Sequence, residues 1–381
     1  MPISRRSLLS STAALAAGAQ LVSSATQAAD AAPNTAGKTL KIGVISSRIR
    51  GKPQRLNGHT WHFAQYFHPE CNLDAIKKYK DPGTIRLFNT YLRNPQMSFN
   101  RWPFGNTVIS HYYEQDPEIA KIFCEAFPGV EVCTSLEKMA NEVDAIWLGD
   151  ASGYGEDHFD LIAPGLTKGL PTFCDKPIGA SVAGTKKILD FAKKNNAPLM
   201  SSSLYRHQWG TEEVLRMKAS GEFGPLQYVL ASQGGAHDLD RWLIYGQHPT
   251  WMVMTLCGPG VDAVNFYEYG TTSHSIVTYP DRHPAEIWCG RPDAAPEYCS
   301  TTAYFTGPKK TYTYTPAIEG HYWYGHHYQM LNMADTFRKM VMTRVEPVPH
   351  QEILEVTAII HAGVKSLNEK SRMVKLEEVM A

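Results

Sequence analysis

The run Val143-Asp144-Ala145-Ile146-Trp147-Leu148 constrains this chain more than any other stretch. Nearly continuous apolar character over so short a length is what a strand covered on both faces of a parallel sheet requires. Helical spacing follows from His158 to Lys168, and Gly169-Leu170-Pro171 ends it. Thr172 to Cys174 is then a second short strand, so Asp175-Lys176-Pro177 falls just past a strand's C-terminal end. Ligands of open α/β sheets bind along that edge. Lys176 is therefore a candidate catalytic or cofactor-contacting cation, with a solvated turn lysine as the plain alternative.

The same alternation extends in both directions. Strands are predicted at Thr39–Ile45, Thr84–Tyr91, Val130–Val132 and Pro198–Ser201, and helices at Pro117–Phe127, Leu136–Ala140 and Val182–Lys194. That order predicts a Rossmann-like, doubly wound parallel sheet over residues 39–201. From Ser202 the pattern changes. After a helix at Gly210–Ala219 come strand-like runs at Gln227–Gln233, Ser275–Tyr279, Ala285–Cys289, Thr301–Phe305 and Thr311–Tyr314. Two helices, His326–Met342 and His350–Ser366, finish the chain. Residues 202–381 are thus expected to form an α+β domain with a large, mostly antiparallel open sheet.

The first 31 residues stand apart from the fold. Ser4-Arg5-Arg6-Ser7-Leu8-Leu9 is a twin-arginine pattern, Leu8 to Val22 is a modest apolar region, and small residues near Ala28 and Ala31 offer cleavage sites. An apolar stretch that short falls below the roughly 20 residues of a membrane span. A twin-arginine signal peptide over 1–31, a linker over 32–38 and a periplasmic mature protein free of the membrane are the expectation. Lys plus Arg and Asp plus Glu both total 37, so no net field favours nucleic acid. Seven cysteines include no Cys-x-x-Cys pair, which argues against a zinc cluster, while Cys289 and Cys299 are candidates for a disulfide in an oxidising compartment.

The turn after the first strand, Gly43-Val44-Ile45-Ser46-Ser47-Arg48-Ile49-Arg50-Gly51, is a reduced dinucleotide fingerprint. Ser46 and Arg48 stand where glycines would be, and Gly51 remains. Ser46 and Arg48 can still hydrogen-bond a phosphate. Beyond this turn, Gly58-His59-Thr60-Trp61-His62 begins a helix inside a long insertion. His59 and His62, three apart, are candidates for one metal, against the plainer reading of locally bonded histidines.

Taken in order, five motifs resemble the Gfo/Idh/MocA family, named for glucose–fructose oxidoreductase and inositol dehydrogenase, over about residues 39–381. The strand ending in Asp150 with His158 opening the next helix resembles the family's loop around the nicotinamide. Cys174-Asp175-Lys176-Pro177 resembles its Glu-Lys-Pro signature, and Gly221-Glu222-Phe223-Gly224-Pro225 its entry to the large sheet. Tyr245-Gly246-Gln247-His248 sits where the family has Gly-x-His, and Pro347-Val348-Pro349 with Glu352 and Glu355 resembles its C-terminal pattern. The resemblance implies hydride transfer between a sugar or polyol carbon and a tightly held NAD or NADP. It assigns the general acid/base to His248, the reacting-oxygen contact to Lys176, and cofactor contacts to Gly43, Ser46, Arg48, Gly51, Asp150, His158 and Asp175. Arg206, His207, Trp323 and Tyr324 would line the substrate site, and the large sheet would pair copies of the chain. An imidazole, titrating near about 6.5, suits proton transfer at neutral pH. Two departures stand out: the fingerprint turn, and Ile244 where the family has an aspartate before the histidine. They keep two alternatives open: a metal-assisted lyase or hydrolase drawing on His59, His62, His207, His237, His248 or His321, and a non-catalytic sugar-binding protein.

Overall fold

The run that opens the sequence argument lies at the centre of a six-stranded parallel sheet. Its strands are β1 (Leu40–Ser46), β2 (Thr107–Tyr113), β3 (Glu131–Val132), β4 (Ala145–Asp150), β5 (Thr172–Cys174) and β6 (Leu199–Met200), in the order β3-β2-β1-β4-β5-β6. Connections run outward in both directions from the β1–β4 junction, which leaves a crevice above their C-terminal ends. The computed structural model describes residues 37–48, 58–78, 104–150, 153–236, 238–291, 299–307, 311–314 and 321–381, with backbone alone for 314 and 321–327. The predicted signal peptide, Gly51, His237 and the strand expected at Thr84–Tyr91 lie outside the described residues.

The helices crossing this sheet are α1 (Trp61–Phe67), α2 (Leu73–Lys78), α3 (Pro117–Ala126), α4 (Leu136–Glu142), α5 (His158–Thr167) and α6 (Val182–Lys194). Their starts follow from local chemistry. Asp116 accepts the amides of Glu118 and Ile119 ahead of Pro117, and Ser181 accepts that of Gly184. Every residue of β4 is buried. Glycine admits the helices closely: a Cβ at Gly165 would meet Ile146 at 2.7 Å, and one at Gly43 would meet Met139 Sδ at 2.7 Å. Gly43 therefore serves the packing of α4 on β1. The second strand of the sheet is Thr107–Tyr113. Its Ser110 and His111 interrupt the apolar pattern and hide it from a search for continuous runs.

The second sheet follows the order β13-β12-β7-β11-β10-β8-β14, with β9 on β10. Its strands are β7 (Leu226–Gly234), β8 (Ala263–Val264), β9 (Tyr267–Tyr269), β10 (Thr272–Thr278), β11 (Ala285–Gly290), β12 (Ser300–Phe305), β13 (Thr311–Tyr314) and β14 (Val374–Lys375). All its pairings are antiparallel except β7 with β11. The helices of this half are α7 (Trp209–Ser220), α8 (Leu239–Tyr245), α9 (Gln247–Cys257), α10 (His321–Thr343) and α11 (His350–Asn368). Alternation along β10 buries one face and leaves the other half-exposed. Cys289 pairs with Gln233 on one side of β7, while Ser300 pairs with Ser232 on the other. Two strand spacings, about 9.5 Å, separate Cys289 from Cys299, beyond disulfide reach. Both thiols are free, which corrects that expectation.

The halves are bound by aromatic packing. Phe337 of α10 lies 5.2 Å from Trp147, 6.4 Å from Phe173 and 5.8 Å from Phe67. Trp147 also stacks on Phe173 at 3.9 Å and meets Phe63 at 4.8 Å. No helix among the described residues is long and apolar enough to cross a membrane. Because Trp147 is fully buried at this junction, Trp147→Ala is expected to cost about 3–5 kcal/mol, measured by denaturant unfolding. Trp147→Phe should recover most of it.

Candidate functional site

The crevice above β1 and β4 is shaped by the turn that precedes α1. Asp150, buried at the end of β4, accepts the amide of His59 at 3.1 Å and that of Thr60 at 2.7 Å. The fit is close on both sides. A Cβ at Gly149 would fall 2.7 Å from the Thr60 backbone nitrogen, and Gly58, at φ +96°, would place a Cβ 2.1 Å from Asp150 Oδ1. Burial pushes the Asp150 carboxyl up, against the opposing pull of His59 and the hydrogen bonds of Thr60. The start of a helix favours an anion. Here the chain's own carboxylate takes that place.

Beside Asp150, Asp175 Oδ1 lies 2.6 Å from His59 Nδ1, and Trp147 Nε1 donates to the His59 carbonyl at 3.1 Å. His59 thus sits in the turn before α1, whereas His62 is the helix's second residue. With Nδ1 given to Asp175, His59 does not offer that nitrogen to a metal shared with His62. Among the described residues no group of three His, Cys, Asp or Glu side chains is arranged to hold a metal. His158 is buried at the start of α5, with Nδ1 3.4 Å from Cys174 Sγ, and burial holds its pKa below the usual value. It braces α5 against β5.

At the other side of the crevice three covered polar atoms lack hydrogen bonds among the described residues: Ser46 Oγ, Tyr112 OH and Glu114 Oε2. Ser46 ends β1, and Glu114 follows the last residue of β2. Burial raises both the Tyr112 phenol and the Glu114 carboxyl, and Ser46 is near enough to oppose both shifts. Covered, unpaired polar atoms at strand ends call for a polar ligand. An acidic residue past the second strand of such a sheet can hydrogen-bond the adenosine ribose of NAD, and its charge disfavours a 2′-phosphate. Glu114 escapes a sequence search because the insertion carries it far beyond the usual spacing of about 20 residues. Arg48, exposed just past β1, supplies a positive charge beside Ser46.

Lys176 and His248 approach from the two halves of the chain. Lys176 Nζ donates to the Ile244 carbonyl at 3.4 Å and lies 5.6 Å from the Tyr245 ring. The His248 ring centre is 6.4 Å from that of Tyr245, so both residues flank one tyrosine. His248 Nδ1 is 2.7 Å from Ser203 Oγ, and the ring meets Tyr205 edge-on at 5.0 Å. Ser203 orients the imidazole where Ile244 offers no carboxylate. A single serine in the run Ser201-Ser202-Ser203 gave no sign of this role.

Arg206 does not line the site as expected. Its Nη1 pairs with Glu352 Oε2 at 2.7 Å and donates to Thr255 Oγ1 at 3.1 Å, tying the turn after β6 to α9 and α11. Glu355 accepts the amides of Gly260 and Val261, again a structural tie. His207 Nε2 is covered and unpaired among the described residues, and burial beside Arg206 lowers its pKa to about 3. The side chains of Trp323, Tyr324 and His321 lie outside the described residues.

The comparisons with known proteins agree with this geometry. Residues 83–203 match the GFO_IDH_MocA family model, described as an oxidoreductase family with an NAD-binding Rossmann fold. The match begins after β1, so the reduced fingerprint lies outside it. An uncharacterized oxidoreductase of Streptococcus pneumoniae is 24% identical over 122 residues, which is 32% of this chain and 32% of the relative. Among solved structures, scyllo-inositol dehydrogenase from Lactobacillus casei, holding NAD(H) and scyllo-inositol, superposes with a TM-score of 0.62 at 13% identity, covering 89% of this chain and 100% of that one. An Agrobacterium radiobacter oxidoreductase in complex with NAD+, L-tartaric acid and magnesium gives 0.64 at 12% identity, covering 90% and 99%. At such identities the likeness establishes the two-domain fold.

Two outcomes follow. Arg206→Ala should destabilise the protein by about 3 kcal/mol by stranding Glu352, read as a lowered unfolding midpoint; a substrate contact would instead raise KM at unchanged stability. His207 stays neutral when folded, whereas an unfolded histidine titrates near about 6.5. The unfolded state therefore binds the extra proton between that value and about 3. Stability should fall as pH drops through this window, and His207→Gln should lessen the slope.

Proposed function

We propose that the protein is an NAD-dependent oxidoreductase acting on a secondary alcohol of a polyol- or sugar-type substrate. The observation that carries this reading is the covered polar cluster of Ser46 Oγ, Tyr112 OH and Glu114 Oε2 beside the β1–β4 crevice, whose nearest polar partners among the described residues are one another. The family description for residues 83–203 and the NAD(H)- and scyllo-inositol-bearing neighbour support it. Glu114 and Ser46 would hold the adenosine ribose, and Arg48 would face the phosphates. Since Asp150 holds the first amides before α1, phosphate binding draws on Arg48 rather than on that helix start. The cofactor, when bound, supplies the hydride acceptor. The chain supplies Lys176, which hydrogen-bonds the reacting oxygen, and His248, which takes or returns the hydroxyl proton through Nε2 while Ser203 holds Nδ1.

Export by the twin-arginine route belongs to the same reading, as does a cofactor carried tightly with the folded protein. Two copies would meet through the outer face of the second sheet, where Tyr269 and Tyr304 are exposed. Nucleotide released on denaturing the mature protein tests cofactor retention. Calorimetry should show NAD+ bound more tightly than NADP+, and Glu114→Ala should weaken NAD+ by roughly tenfold. With scyllo-inositol or myo-inositol as the alcohol, Lys176→Ala and His248→Ala should each lower kcat by about 10²-fold or more without lowering the melting temperature. Unchanged turnover in both variants would remove the catalytic assignments.

A further inference from the structure

Three anchors fix His59. Its amide donates to Asp150, its carbonyl accepts from Trp147, and its Nδ1 meets Asp175. The ring stands edge-on to Phe63 at 5.8 Å, and its side chain is 16% exposed. Main chain and Nδ1 are all committed to the ends of β4 and β5. Nε2 has no hydrogen-bond partner among the described residues. Asp175 Oδ1 beside Nδ1 fixes the ring and aims Nε2, which can donate to or accept from a hydroxyl. A histidine that served packing alone would not need its orientation set by a part-buried carboxylate at 2.6 Å.

Neighbouring groups define what Nε2 can meet. Asp175 is followed directly by Lys176, whose Nζ turns toward Ile244 and Tyr245 of the second half. The crevice edge above β4 and β5 therefore presents a cation and an oriented imidazole nitrogen. Asp150 and Asp175 have already given their carboxylates to donors of the chain itself. A hydroxyl, which both donates and accepts, matches Nε2 in either role.

We propose that His59, contributed by the insertion between β1 and α1 and aligned by Asp175, binds a carbohydrate-type hydroxyl through Nε2. This rests on the reading of the site as one for a dinucleotide and a polyol. The hydroxyl belongs either to the cofactor's ribose or to the substrate, and the two sources separate by experiment.

Diethyl pyrocarbonate acylates accessible neutral imidazole nitrogens, and peptide mass mapping locates the product. In the free full-length mature protein at neutral pH, His59 should be labelled well ahead of buried His158, and Asp175→Asn should slow that labelling several-fold. Protection by NAD+ alone assigns the ribose hydroxyl. Protection that requires scyllo-inositol in addition assigns the substrate hydroxyl. His59→Ala should weaken the protecting ligand by roughly three- to tenfold in calorimetry, with His59→Gln in between. Labelling of His59 no faster than His158 would overturn the proposal. So would labelling that saturating NAD+ and scyllo-inositol leave unchanged, or protection with unaltered affinity in His59→Ala, which would mean simple steric cover. If NAD+ fails to bind the wild-type protein, the functional reading fails; scyllo-inositol alone then decides the His59 site, and absence of protection by it overturns that as well.

Discussion

Two backbone amides, those of His59 and Thr60, donate into one buried carboxylate, Asp150, and the upper edge of the first sheet is arranged around that contact. A carboxylate taken out of water is costly unless its oxygens are bonded. Two amide donors meet that need and at the same time seat the turn before α1 on the strand end. The raised pKa of Asp150 shows that the desolvation is not wholly offset. With the turn seated, His59 comes within reach of both Trp147 and Asp175, so the active edge inherits its geometry from a core residue and a strand terminus.

The same contact redistributes the chemistry of the crevice. In dinucleotide folds of this topology the helix start commonly meets the pyrophosphate. Here a protein carboxylate stands in that role, and unsatisfied polarity moves sideways to Ser46, Tyr112 and Glu114. Residues from the second half complete the site because Phe337 wedges α10 against Trp147 and Arg206 is clamped by Glu352. Lys176 and His248, about 70 residues apart, meet the same Tyr245 only while those ties hold.

The parallel sheet was legible where strands are buried on both faces. Val143–Leu148 and Thr172–Cys174 announce themselves by continuous apolarity, and the helix at His158 by spacing and its Gly-Pro stop. β2 was not legible, since Ser110 and His111 break its pattern and it follows the long insertion. The strands of the second sheet were found to within a few residues wherever alternation persisted; β8, β9 and β14 span two or three residues and carry no period. Motif order placed Lys176 and His248 in one neighbourhood. It could not foresee Ser203, Glu114 or the true partner of Arg206, because each depends on contacts between residues far apart in the chain. Glu352 lies 146 positions from Arg206, and no local pattern links them.

Gly58 and Gly149 face one another's neighbours across the crevice: the first leaves room for Asp150, the second for Thr60. Turn and strand end are therefore interlocking parts of one module. A methyl group at either position would lift the turn from the sheet, even with every polar side chain intact. Transplanting the His59 turn into another Rossmann scaffold would thus mean moving the Gly149-Asp150 strand terminus with it. Equally, shortening this insertion toward an ordinary first turn would leave Asp150 buried without its two donors. The module is inherited, or engineered, whole.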